Sequence, residues 1–288
     1  METLGEQRLR TFLGGEWKIG GATNHEIRRD DGCAVASFAE LVEKVAHLAF
    51  YNRDHVLLFR GQDRDYRNKA ANTTIQPSIL RRPPDTAPGE WLGLLYERYR
   101  VLQEAEGALV EGWTRTGLPD VRRLESHRSL RWAILQHYEV CATPVLDVTH
   151  SLRVAASFAT HGARDAGLKE AVLYVLAVPQ ISGAITASAE AGLQILRLSG
   201  ICPPTAARPH FQEGYLLGHY PEFQTAEEKE RYDLHEVDFA RRLLGKFRLR
   251  LGHFWKTSFP LVPKRALYPT AHDPLLELTR PLRPPPRA

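Results

Sequence analysis

The chain has 288 residues, 43% hydrophobic and 25% charged, with 38 basic against 34 acidic side chains for a net charge of +4. That is the balance of an ordinary globular protein with ample apolar material for a core, and it excludes a disordered or low-complexity chain. No apolar run approaches the roughly 20 residues that span a bilayer, so no membrane association is expected.

The opening Met1-Glu2-Thr3-Leu4-Gly5-Glu6 has none of the apolar stretch of a signal peptide. The three cysteines, Cys33, Cys141 and Cys202, show no Cys-x-x-Cys spacing. A cytoplasmic location and no metal are therefore expected, with Cys141 a buried structural thiol. The small positive excess permits an anion, a dinucleotide or a nucleic acid as partner and requires none.

Residues 1–32 read as an N-terminal arm, with Trp17-Lys18-Ile19 as a short strand. Ser37 then opens a helix. Glu40 stands three residues on as a capping-box partner, and Phe38, Leu41, Val42, Val45, Leu48 and Ala49 recur at helical period. Val56-Leu57-Leu58-Phe59 has the continuous apolar character of a buried strand. It delivers Arg60 at its end, with Gly61 permitting close approach of a ligand and Gln62 following. A guanidinium suits bidentate contact with phosphate oxygens. Pro77 favours an extended segment through Arg82, in which Arg81 or Arg82 is a second candidate cation. After the loop 83–89, Trp91, Leu94, Leu95, Tyr99 and Leu102 form an apolar helix face. A second helix is expected over Val121 to His137. These helices make an insertion at about residues 90–136.

Polar groups then concentrate in His137-Tyr138-Glu139-Val140-Cys141-Ala142-Thr143-Pro144-Val145-Leu146-Asp147-Val148-Thr149-His150-Ser151. Val145, Leu146 and Val148 suit a strand, and Leu152, Ala155, Ala156 and Ala159 suit a helix face. Thr149 or Ser151 is the N-cap. The polar residues thus sit where a strand gives way to a helix, a frequent position for binding groups. Asp147 reads as structural, either hydrogen-bonding loop amides or pairing with an Arg. Ala171 to Val178 is the most strand-like run, stopped by Pro179. Gly192 to Leu198 reads as a helix or a strand. Val237, Ala240, Leu244 and Phe247 mark a late helix. The division is an arm at 1–32, one domain at 33–270 and a Pro/Arg-rich tail at 271–288.

These motifs resemble the FRG domain, a bacterial module named for a Phe-Arg-Gly triplet, here Phe59-Arg60-Gly61. The family pattern is matched by His137-Tyr138, Thr143, Leu146-Asp147, Thr149, Ala155 and Phe158-Ala159. Arg208, Gln212, Gly214 and Tyr215-Leu216-Leu217 match it further on. The chain departs at Glu139, where Gly is usual, and at Pro144, where a basic residue is common. The resemblance runs from about Phe38 to Leu217.

In order and character, Arg60, Thr149-His150-Ser151 and Gln212-Glu213 are similar to the Arg–Ser–Glu arrangement of ADP-ribosyltransferases. That resemblance implies an α+β fold: a split β-sheet core with helices packed around it and a helical insertion. It implies NAD as substrate and an enzyme of ADP-ribosyltransferase or NAD glycohydrolase type, a toxin or phage-defence effector with a protein or nucleic-acid acceptor and a neutralising partner protein. Breaking the nicotinamide–ribose bond develops positive charge on the ribose, which a nearby carboxylate stabilises. The resemblance assigns that task to Glu213 or Gln212, phosphate binding to Arg60 and ribose positioning to Thr149 and Ser151. His137 and Tyr138 clamp the nicotinamide end or act as an acid–base pair. Two alternatives stand beside it, a non-catalytic NAD or ADP-ribose module that keeps the pocket and a nucleic-acid binder. The chain contains no Gly-x-Gly-x-x-Gly, Walker loop, His-Glu-x-x-His or Gly-x-Ser-x-Gly.

Overall fold

The computed structural model describes Leu4 and residues 9–14, 19–231, 237–270 and 273–283. Strands β1 (Leu9–Thr11) and β2 (Gly20–Ala22) pair antiparallel. Helix α1 (Asn24–Arg29) is closed at its start by a Thr23–Glu26 capping box. Strand β3 (Cys33–Val35) precedes α2 (Phe38–Tyr51). As expected, Ser37 caps α2, its hydroxyl accepting from Glu40 N at 3.2 Å. The Glu40 carboxylate reaches one residue further back, to Ala36 N at 2.8 Å.

Strand β4 (Val56–Gln62) is followed by three helices, α3 (Pro88–Thr116), α4 (Val121–Ser126) and α5 (Arg128–His137). Then come β5 (Leu146–Thr149), α6 (Leu152–Asp165), β6 (Glu170–Val178), β7 (Ile185–Ser188) and β8 (Leu193–Arg197). The chain continues through α7 (Leu198–Ile201), α8 (Ala207–Phe211), β9 (Gly214–His219) and α9 (Ala226–Arg231). It ends with β10 (Leu243–Arg250), α10 (Lys264–Leu267) and α11 (Pro274–Thr279).

The result is an α+β fold on one mixed sheet of eight strands, in the order β3-β10-β6-β4-β5-β9-β8-β7. Among the described residues only the β3–β10 pair is parallel. Strand β6 lies between β10 and β4, and Ala171 to Val178 are all buried, which explains its unbroken apolar sequence. The ladder is uneven. Strands β4 and β6 match over seven residues from Val56↔Val178 to Gln62↔Val172, and β5 and β9 over four. Between β4 and β5 the register consists of one pair, Phe59↔Thr149. Two four-stranded halves therefore meet at a narrow waist.

Several expectations change. Arg60 lies inside β4 rather than at its end, because pairing with β6 continues through Gln62. The expected late helix is a 3-10 turn, Phe239–Arg242, followed by β10. Leu243, Leu244, Phe247 and Leu249 are buried in a strand covered on both faces, and such a run carries no clear two-residue alternation. The expected helix over Val121 to His137 breaks at His127, whose backbone is extended at φ −121° and ψ 104°. Ser78–Leu80 forms a 3-10 turn instead of an extended segment. Gly192 to Leu198 resolves as strand β8 followed by the start of α7. Trp17 and Lys18 lie outside the described residues and Ile19 is irregular; of the tail, Pro281 and Leu282 end a 3-10 turn and 284–288 lie outside.

Candidate active site

A cleft of about 530 Å³ lies at the waist, lined from β4, the end of α5, β5, α6, α8, the start of β9 and Tyr268. Strand alternation puts Arg60 and Gln62 on one face of β4 and Gly61 on the other. A Cβ on Gly61 would lie 2.0 Å from Ala155 O and 2.7 Å from Ala159 N. The group that approaches Gly61 is therefore the backbone of α6, a correction to the ligand-approach reading of this glycine. Arg60 is half-buried. Its Nη1 donates to the Asp147 carbonyl across the waist, and its Nε has no partner. Burial, and then the charge of Arg81, lower its pKa to about 10, against the opposing pull of Asp147 and Tyr174.

Across the waist, His137 Nδ1 lies 3.0 Å from Asp147 Oδ1, and Gln136 Nε2 donates to Asp147 Oδ2 at 2.8 Å. Gln136 is itself fixed, because its Oε1 accepts from the Ser78 and Thr143 hydroxyls. Burial pushes the Asp147 carboxyl up, but the bond and charge of His137, then the Gln136 amide and Arg60, outweigh it. They hold the group below the usual carboxylate range. An ionised Asp147 accepts a proton-bearing Nδ1, a tautomer assigned from this network, and leaves Nε2 as the free ring nitrogen. His137 Nε2 is buried and has no partner. Asp147 thus does bond neighbouring groups as its pattern suggested, with a histidine and an amide side chain in place of loop amides.

The third element comes from α8. Arg208 and Gln212 are four residues apart, which places them on one side of the turn. Gln212 Nε2 donates to Leu267 O at 2.6 Å. Thr149 ties β5 to this element: its hydroxyl donates to Gln212 O at 2.7 Å and accepts from Ser151 N at 3.0 Å. Arg208 Nη2 donates to Glu139 Oε1 at 2.7 Å.

The structure thus gathers Arg60, Gly61, Gln62, His137, Thr149 and Gln212 around one cleft. Glu213, Tyr138, His150, Ser151 and Arg81 do not line it. Glu213 is exposed and left-handed at φ 46°. Tyr138 is fully buried, and its hydroxyl donates to both Asp273 oxygens at 3.0 and 2.9 Å. Burial, and then Asp273, push that phenol well above its ordinary range. His150 is exposed beside the Tyr215 ring. Ser151 occupies the N-cap of α6 without a side-chain cap bond, and Arg81 lies on the surface with Nε donating to Gln76 O at 3.0 Å. Cys141 is half-buried, its thiol pushed up to about 12 by burial and then by Glu106, which makes it inert at neutral pH.

Sequence reasoning gave no site role to Gln136, Arg208, Glu139, Phe158 or Tyr268. The family pattern already contained Arg208 and Phe158, and the four-residue spacing of Arg208 and Gln212 was a further signal for the first. Tyr268, more than 50 residues further on, had none. Among the described residues no group of three His, Cys, Asp or Glu is placed to hold a metal, and no helix is long and apolar enough to cross a membrane.

The family model of the FRG domain matches residues 55–167. That stretch runs from the start of β4 to the end of α6, so it holds Arg60, His137, Asp147 and Thr149, and it supports the FRG family. Arg208, Gln212 and Tyr268 lie beyond it. No curated protein and no solved structure matches the chain.

Proposed function

We propose that the cleft binds NAD and that the protein cleaves the nicotinamide–ribose bond, as an ADP-ribosyltransferase or an NAD-hydrolysing enzyme. The observation that carries this reading is a convergence of unused hydrogen-bonding groups. Arg60 Nε, Gln62 Oε1, His137 Nε2 and Arg208 Nε are all buried and unpartnered, and all four residues line one cleft. Buried polar groups are normally satisfied, so such a cluster marks a place where a polar ligand completes the bonding. The divided sheet, with an Arg strand and a Thr strand meeting at its waist, also suits the ADP-ribosyltransferase resemblance.

In this reading Arg60 holds the pyrophosphate, the work a guanidinium does best. The Asp147 carboxylate, kept ionised, faces the positive charge that develops on the ribose. His137 Nε2 takes the proton of the attacking water or acceptor hydroxyl. Thr149 and Gln212 hold the third element in register. Glu213 leaves its expected role to Asp147.

Purified protein incubated with NAD should release nicotinamide, measured by chromatography. Arg60→Gln and His137→Ala should each lower the rate by about 100-fold or more. The exposed position of Glu213 favours a second reading, a module that binds NAD or ADP-ribose without turnover. Calorimetric binding with NAD left intact would select that reading, and neither binding nor turnover would refute both.

A further inference from the structure

The cleft holds a second guanidinium whose partner is a poor match for its burial. The Arg208 side chain is 7% exposed, whereas the Glu139 side chain it pairs with is 56% exposed. The guanidinium lies 4.6 Å from the Tyr268 ring centre and 5.7 Å from that of Tyr138, a cationic group between aromatic faces. Its backbone N donates to Asp273 Oδ2 at 3.0 Å, and Asp273 also accepts the Tyr138 hydroxyl. Arg208 is therefore fixed from behind, while its Nε remains without a partner.

Glu139 is held differently. It follows α5 at φ 56°, a left-handed backbone that side-chain-bearing residues rarely adopt. Its carboxylate reaches from solvent over the edge of the cleft to a single Arg208 nitrogen. One carboxylate oxygen on one nitrogen leaves the planar fork half used, and a phosphate group is able to fill it.

We propose that Arg208 is a second anion-binding group of the cleft, and that Glu139 is a tethered carboxylate displaced from it by a phosphate-bearing ligand. The ligand class is an organic diphosphate, with Arg60 and Arg208 as its two cationic anchors. The inference rests on the NAD reading only for the identity of that diphosphate. Removing Glu139 should then strengthen binding, the opposite of what loss of a ligand contact does.

The test is calorimetry on the full chain with inorganic pyrophosphate and, separately, NAD. Glu139→Gln should bind pyrophosphate about five- to tenfold tighter than the native protein, with the difference shrinking as salt rises. Glu139→Gly, which also suits the left-handed backbone, should do at least as well. In an Arg208→Gln background the gain from Glu139→Gln should fall to less than about twofold, because neither carboxylate nor phosphate then has a cation there to bind. Unchanged, weaker or absent pyrophosphate binding by Glu139→Gln overturns the proposal, as does a full gain that survives in Arg208→Gln. Far-ultraviolet circular dichroism checks that each variant is folded, and the exposed Glu139 variants decide the matter alone where Arg208→Gln is not. A pyrophosphate gain beside inert, unbound NAD would sink the NAD reading and leave the subsite standing.

Discussion

Gly61 offers the sharpest test of how the cleft is built. In Gly61→Ala the new methyl meets Ala155 O at 2.0 Å, Ala159 N at 2.7 Å and Ala159 Cβ at 2.9 Å. Two of these atoms belong to the backbone of α6, so no side-chain rotation relieves the clash. Overpacking costs about 1–3 kcal/mol, and an immovable obstacle places this change near 3. At about 2–4 °C per kcal/mol for a domain of this size, the melting temperature should fall by about 6–12 °C. Gly162, inside α6, is the control. Its added methyl would find Asp63 Cβ at an ordinary 3.5 Å, and Gly162→Ala should stabilise the helix by about 0.5–1 kcal/mol. Thermal melting followed by far-ultraviolet circular dichroism reads both. A Gly61→Ala protein melting within about 2 °C of the native one would refute the claim that β4 and α6 are packed backbone to backbone at this point. Nicotinamide release should fall with stability, because α6 also brings Ala155 and Phe158 to the cleft.

The folded Asp147 carboxyl sits below its unfolded value, so it contributes stability above about pH 3.9 that is lost as pH falls through the folded value. Asp147→Asn should cost about 1 kcal/mol at neutral pH, and the gap in melting temperature from the native protein should close in acid; a gap constant across pH would show that the carboxylate is not what matters. Tyr138→Phe should cost about 1–3 kcal/mol, because buried Asp273 loses a donor, and should leave KM for NAD unchanged. A large rise in KM without loss of stability would restore Tyr138 to the ligand-facing role its sequence position suggested.

The elements that position the cleft were legible where one physical signal dominated. Ser37 and the apolar period after it gave α2, the run from Ala171 gave β6, and the small residues after Ser151 gave α6. Strand β10 carries a helix-like pattern because Val237, Ala240, Leu244 and Phe247 fall at helical spacing by coincidence, while Gly245 and burial on both faces belong to a strand. The site was legible in part: Arg60, Thr149 and Gln212 do meet at the waist, whereas the second cation Arg81 and the hydroxyls of Ser151 and Tyr138 do not line it. What remained hidden depends on backbone direction. The left-handed turn at Glu213 sends its side chain to solvent just before β9, and adjacency to Gln212 in the sequence carries no hint of that. The pairing of His137 with Asp147 likewise needs the end of a helix and a strand ten residues later to fold onto each other.

The cleft draws its walls from Phe59 at one extreme and Tyr268 at the other. At about 5–20 residues per second, a ribosome needs roughly 10–40 s between those two points. Throughout that interval the nascent chain lacks the ring on which Arg208 lies, and a product cut short anywhere before Tyr268 never acquires it. The cleft is thus closed by a residue added only after its other walls have all been synthesised.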